Sequence, residues 1–128
     1  MREIIHSIVV SALRRERVNA LFDSGATTTY VRKDLADRIG MGYERKVNTF
    51  LADGTPIVGI FSKINIHIRG TMLPTNAVIV NKLDRQIIVG VDFLQSTKSF
   101  LDFSSDKLVL KDTLKTELKR IRYRRFRL

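Results

Sequence analysis

Val18-Asn19-Ala20-Leu21-Phe22-Asp23-Ser24-Gly25-Ala26-Thr27-Thr28 sends an apolar run straight into an aspartate and a tight Ser-Gly turn. A carboxylate at the end of a buried strand is costly unless it is hydrogen-bonded or shares a proton. Gly25 allows a sharp backbone turn and the close approach of another chain. Ser24 brings a hydroxyl that both donates and accepts, suited to bracing a loop from beneath. Asp, Ser and Gly are also the usual residues of an ordinary surface turn. What separates this one is its lead-in, because surface turns seldom follow five residues as apolar as 18–22.

The flanking sequence reads as short strands. Residues 3–13 are rich in Ile and Val, and the charged stretch 14–17 links them to 18–22 as a hairpin. Residues 32–39 carry Leu35, Ala36 and Ile39 at helical spacing, with Gly40 as a stop. Residues 47–51 and 57–60 flank Ala52-Asp53-Gly54-Thr55-Pro56, and Asp-Gly between apolar runs is a strong hairpin signal. Residues 63–69 alternate strictly, as a half-buried strand does, and 70–74 turn the chain. Residues 77–80 and 86–90 are further apolar strands. Asp92 is placed to cap a short helix over 93–99, and 99–103 with 107–110 form a last hairpin. Strands dominate, with turn signals at short intervals, so the expected class is all-β, a sandwich or barrel.

Asp23-Ser24-Gly25-Ala26 resembles the active-site motif of aspartic proteases, and the order of elements resembles the single-lobe, retropepsin-like (retroviral-type) family. Three features match in sequence: the Asp-Ser-Gly-Ala loop, the hairpin tipped by Ala52-Asp53-Gly54-Thr55, and Ile87-Ile88-Val89-Gly90-Val91-Asp92-Phe93-Leu94, which is similar to the family's second signature. The resemblance covers roughly residues 3–110. It implies a closed acid-protease barrel with one or two short helices and a flap hairpin. It also implies an aspartic endopeptidase that works as a homodimer without a metal or organic cofactor. Asp23 would be catalytic, and Ser24 and Gly25 would support the active-site loop. Gly25, Ala26, Thr27, Thr28, Phe50, Ala52, Asp53, Gly54 and Ile88 would contact a polypeptide substrate. Val31, Ile57 and Val58 are further candidates for pocket walls, and Gly54 and Gly59 for flexible points in the flap. Ile88-Val89-Gly90 would pack beneath the active-site loop. Many retroviral enzymes pair an acid soon after the Gly-Ala with an arginine after the later glycine. This chain has Thr27 and Val91 there, so no such ion pair forms.

Composition removes other chemistries. The 128 residues suit one compact domain, and 44% of them are hydrophobic. There is no cysteine, so disulfides and thiolate metal sites are excluded. His6 and His67 are too few for a zinc site, and both sit in strand-like runs rather than in a recognisable triad. No apolar run reaches the roughly 18 residues that span a bilayer, and no secretory signal is evident, so a cytoplasmic location is expected. Two-lobed enzymes of this chemistry need about twice this length, so the second carboxylate is expected from a second copy.

Charge divides the chain into an expected protease domain, 1–110, and a basic extension, 111–128, which holds +6 of the +10 net charge. In the extension Arg120, Arg122, Arg124, Arg125 and Arg127 interleave with Ile121, Tyr123, Phe126 and Leu128. An arm for nucleic acid or an acidic surface fits that pattern. A solvated terminus, or a helix packed on a dimer partner, is the more ordinary reading. Two functions stand against the protease. One is a nucleic-acid-binding β-barrel with a basic arm, and the other is a retropepsin-like scaffold of weak catalysis.

Overall fold

The computed structural model describes residues 3–50 and 53–110. The expected helix or tail over 111–128, and Ala52 of the hairpin tip, lie outside the described residues. Nine strands and two short helices are found among the described residues. β1 (Glu3–Ser11) and β2 (Arg15–Asp23) form the first antiparallel hairpin, as expected. β3 (Tyr30–Arg32) leads into α1 (Lys33–Ile39), whose Leu35, Ala36 and Ile39 are buried and which Gly40 ends in the left-handed conformation. β4 (Arg45–Phe50) and β5 (Pro56–Ile68) make the second hairpin. β6 (Thr71–Val80), β7 (Ile87–Val89), α2 (Val91–Ser96), β8 (Ser99–Asp102) and β9 (Lys107–Leu110) complete the order.

Six strands close into a ring in the order β1, β2, β7, β3, β6, β5, because β1 pairs back onto β5 through Val9 and His67, Val10 and Ile66, and Ser11 and Asn65. β4 pairs with β5 from outside the ring, and β8 with β9 forms a separate two-stranded sheet. The ring is mixed, since β2 runs parallel to β7 and β3 parallel to β6. Phe22, Val31, Leu35, Ile64, Ile87 and Phe93 fill its interior. Burying each such side chain contributes about 1.5–3 kcal/mol.

Three expectations are corrected. The strand starting at Pro56 does not stop at residue 60 but runs unbroken to Ile68, with Ser62 buried and its hydroxyl donated to the Gly42 carbonyl. The turn expected over 70–74 is confined to Arg69-Gly70, so Pro74 lies within β6. Proline is tolerated there because β6 pairs only with β5 at that level, while β3 meets it at 78–80. The helix expected over 93–99 starts at Val91 and ends at Ser96, with Gly90 rather than Asp92 at its cap position.

Candidate active site

Asp23 ends β2, and β2 is held on both sides. β1 pairs with it along its length, and β7 runs parallel to it through Leu21–Ile88 and Phe22–Val89. Phe22 is fully buried and meets the rings of His6 and Phe93. Anchoring residue 22 fixes where residue 23 emerges. Asp23 is buried, only 6% exposed as a residue. Its Oδ1 accepts the Gly25 amide at 2.8 Å, and its carbonyl accepts the Ala26 amide at 3.2 Å. Locally this is a side-chain-capped Asp turn. Surface turns of that kind do not bury the carboxylate.

The loop that follows is locked from below by the segment after β7. Val91 donates its amide to the Ala26 carbonyl at 2.7 Å, and Gly90 donates to Thr29 Oγ1 at 3.1 Å. Asp92 takes the place of the missing ion pair. Its Oδ1 accepts the Thr29 hydroxyl at 2.8 Å and its Oδ2 accepts the Thr29 amide at 3.1 Å. Thr29 is fully buried, so these bonds satisfy donors that would otherwise be stranded. Asp92 also receives the Phe93 amide at the first turn of α2. A helix-capping role alone misses this second task, which depends on a contact between residues far apart in the chain. Ser24, Gly25 and Thr27 are exposed, and Ala26 and Thr28 half-buried, along the rim of the loop.

The β4–β5 hairpin packs against β3, β6 and β7. Its inner face places Val47 and Ile57 against Tyr30, Val80 and Ile88 in a small apolar cluster. Phe50 and Val58 are exposed on the opposite face. At the tip, Asp53 Oδ1 accepts the Thr55 amide at 2.9 Å. The Thr55 hydroxyl and amide hold the Asp53 carboxyl below its ordinary range. Asp53 and Ile88 line a groove of about 590 Å³ with Leu83 and Arg32. Val31 is fully buried in the barrel core and is not a pocket wall. Gly59 is not a flexible point. It is a buried strand residue, and a Cβ there would lie 2.3 Å from Val78 Cγ1.

Two participants were not singled out from sequence. Glu3 is directly opposite Asp23 in the β1–β2 register, which puts their Cβ atoms about 5 Å apart on one face. Tyr30 is buried, and its hydroxyl meets Thr49 Oγ1 at 2.9 Å and the Phe50 carbonyl at 3.0 Å, tying the end of β4 to the barrel. Tyr30→Phe is expected to loosen the hairpin by about 1 kcal/mol. Hydrogen exchange should then quicken about fivefold at the amides of 47–50 and stay unchanged in β2.

Residues 11–96 match the family model described as "gag-polyprotein putative aspartyl protease". No curated protein sequence matches the chain. Among solved structures, the retroviral protease-like domain of Ddi1 from Leishmania major superposes with a TM-score of 0.59 at 17% identity, covering 87% of this chain and 86% of that one. The EIAV protease, complexed with the inhibitor HBY-793, gives 0.59 at 16% identity over 80% of this chain and 94% of that one. A retropepsin-like aspartic protease from Rickettsia conorii gives 0.52 at 17% identity over 77% and 75%. At these identities the superpositions establish the shared fold, and the match to the family model covers well over half of the chain. The chain therefore belongs to the retropepsin-like aspartic protease family.

Proposed function

We propose that this chain is an aspartic endopeptidase acting as a homodimer, in which Asp23 of each copy contributes one carboxylate to a shared site. The observation that carries the reading is Asp23 itself: buried at the end of a barrel strand and fixed through Oδ1 by the Gly25 amide. Peptide hydrolysis by this route needs two carboxyl groups around one water, a base and an acid. Like charges held a few ångströms apart do not both ionise readily, so the pair keeps one proton, as is established for aspartic proteases as a class. The ionised Asp23 takes a proton from water as its oxygen attacks the peptide carbonyl carbon. The protonated Asp23 of the second copy donates to the carbonyl oxygen, giving a tetrahedral diol. Collapse of the diol breaks the C–N bond, and a carboxyl proton passes to the leaving nitrogen.

Ser24 and Gly25 would hold the loop, and Gly25, Ala26, Thr27 and Thr28 would meet the backbone of an extended substrate. The β4–β5 hairpin, with Phe50, Ala52, Asp53 and Gly54 at or near its tip, would close as a lid that excludes water. Ile88 would line a side-chain pocket.

A second reading comes from the register of β1 and β2. Glu3, opposite Asp23, offers a carboxyl within the same chain, so a single copy would hold both groups. Glu3 is exposed and makes no ion pair with a described residue, which favours the dimer. Glu3→Gln separates the two. The dimer reading expects kcat to change by less than about threefold, whereas loss of an acid or base costs at least about a hundredfold. The dimer reading also expects specific activity to rise with protein concentration until dimers saturate. Constant specific activity across the dissociation range would contradict it.

A further inference from the structure

β1 pairs with β2 along its whole length, but with β5 only at Val9, Val10 and Ser11. On the β5 side, residues 3–8 have no strand neighbour among the described residues. Every second residue of that stretch turns its amide and carbonyl toward the opening. No loop or turn backbone among the described residues bonds to them. An edge of this kind is a template for another strand. The opening is a cleft of about 760 Å³, bounded on its far side by Lys107 and Leu108 of β9. His6 Nε2 accepts the Leu108 amide at 3.1 Å, which fixes that wall. No residue of the loop 23–29 lines the cleft.

The two faces of the cleft differ. On the outer face, Arg15 and Arg17 reach across β1 from β2. Arg17 donates to the Ser7 hydroxyl at 3.2 Å. Burial, helped by the charge of Arg15, holds the His67 imidazole below its ordinary range, which places Arg15 near β5. Arg69 enters from the β5–β6 turn at a φ of 51°, a conformation that arginine adopts at a cost. With Lys107 these make four permanent cations, and no carboxylate lines the cleft. None of the four joins an ion pair among the described residues. On the inner face, Ile8 and Leu108 belong to the hydrophobic core and Ile68 packs against it.

We propose that this cleft binds an extended acidic segment of a partner protein, added to β1 as a further strand, independently of the chemistry at Asp23. The open edge supplies backbone pairing, which holds a strand whatever its side chains. Alternation of side chains along the added strand then sets its pattern. Every second residue meets the arginines and should be Asp or Glu. The residues between meet Ile8, Ile68 and Leu108 and should be apolar. Residues 3–8 span about 20 Å, room for about six residues of partner. A nucleic-acid strand or a small polyanion would satisfy the cations but offers no matching row of amides and carbonyls. A second copy of this chain, with a net charge of +10, is a poorer source of acids than an acidic partner.

The test is fluorescence anisotropy of the full chain with a fluorescein-labelled peptide of alternating Glu and Val, about eight residues long. A peptide of the same composition with the glutamates in one block and the valines in another should bind at least about tenfold more weakly, since only half of its residues fit the pattern. The protein variant combines Arg15→Gln, Arg17→Gln and Arg69→Asn. Loss of three exposed charge contacts should weaken binding by about tenfold. Asparagine suits the positive φ at residue 69, and thermal melts show that the variant is folded. Backbone pairing is tested on the peptide, where no folding question arises. Methylating all valine nitrogens, or all glutamate nitrogens, removes the donors on one side of the strand, and at least one of the two peptides should lose binding. The proposal is overturned if the alternating peptide does not bind, or if the blocked peptide or the triple variant binds as tightly as its parent. It is equally overturned if both methylated peptides bind as the parent does, or if oligo(dT) competes better than the alternating peptide at equal charge.

Discussion

Asp23→Asn is expected to abolish peptide cleavage while leaving the fold in place. Asparagine has the same shape as aspartate and keeps an oxygen for the Gly25 amide, so the turn survives. What disappears is the group able to take a proton from water and return it. General acid–base catalysis is worth about 10²–10⁴ in rate, and a symmetric site loses both of its carboxyls in this variant, so kcat should fall by at least about a thousandfold. Assaying wild type and variant on an unfolded protein from acid to neutral pH, beside a thermal melt of each, checks both halves of the expectation. Equal cleavage by the two proteins would expose a contaminant and remove Asp23 from the chemistry.

Gly90→Ala is the second change of large effect, and it acts through packing. A Cβ at residue 90 would lie 2.5 Å from the Thr28 carbonyl oxygen, 2.7 Å from its carbon and 2.8 Å from the Ala26 carbonyl oxygen. All three are backbone atoms of the loop after Asp23, so no side-chain rotation relieves the clash. Either the loop or the 90–92 segment must move, and the Val91–Ala26 and Gly90–Thr29 hydrogen bonds move with it. Overpacking of this kind costs about 3 kcal/mol, so melting should drop by roughly 10 °C or more. In protein that remains folded, a displacement of the loop by about 1 Å should lower kcat about a hundredfold. Gly42→Ala is the control. Gly42 is exposed with nothing within 4 Å of the added carbon, and its effect should stay within about 0.5 kcal/mol.

The contrast between these two glycines shows what the sequence could and could not convey. The Asp23 loop was legible because its signal is local: an apolar strand running into Asp-Ser-Gly. The β4–β5 hairpin was legible for the same reason, with Asp53-Gly54 between apolar runs. The strand of 87–89 was legible from its aliphatics. That 88–90 packs beneath the loop came from the family resemblance and not from its own residues, and its parallel pairing with β2 is visible only in the structure. Pairings between distant segments were hidden. β3 spans only three residues, too few for a period, and is recognisable only because β6 and β7 flank it. The union of 57–60 with 63–69 was hidden by Ser62, a polar residue in the middle of a strand whose acceptor, the Gly42 carbonyl, is remote in sequence. Gly59 suggested a hinge because glycine is permissive, whereas the Val78 side chain packed over it shows a need for space. Asp92 was visible as a residue of a helix start, but its bonds to Thr29 cross the fold. Arg15 and Arg17 of β2 and Arg69 of the β5–β6 turn line one cleft, so the chain shows them as scattered charges and only the barrel gathers them.

The most direct test of the central claim is subunit mixing. Wild-type chain is mixed with an equal amount of the Asp23→Asn chain under conditions that allow exchange, and cleavage is compared with the same amount of wild type alone. If each copy contributes one carboxyl, half of the wild-type chains become trapped in mixed dimers, and activity should fall to about half and lower still with excess variant. Activity that does not change at any ratio of variant to wild type would show that one chain carries the whole site.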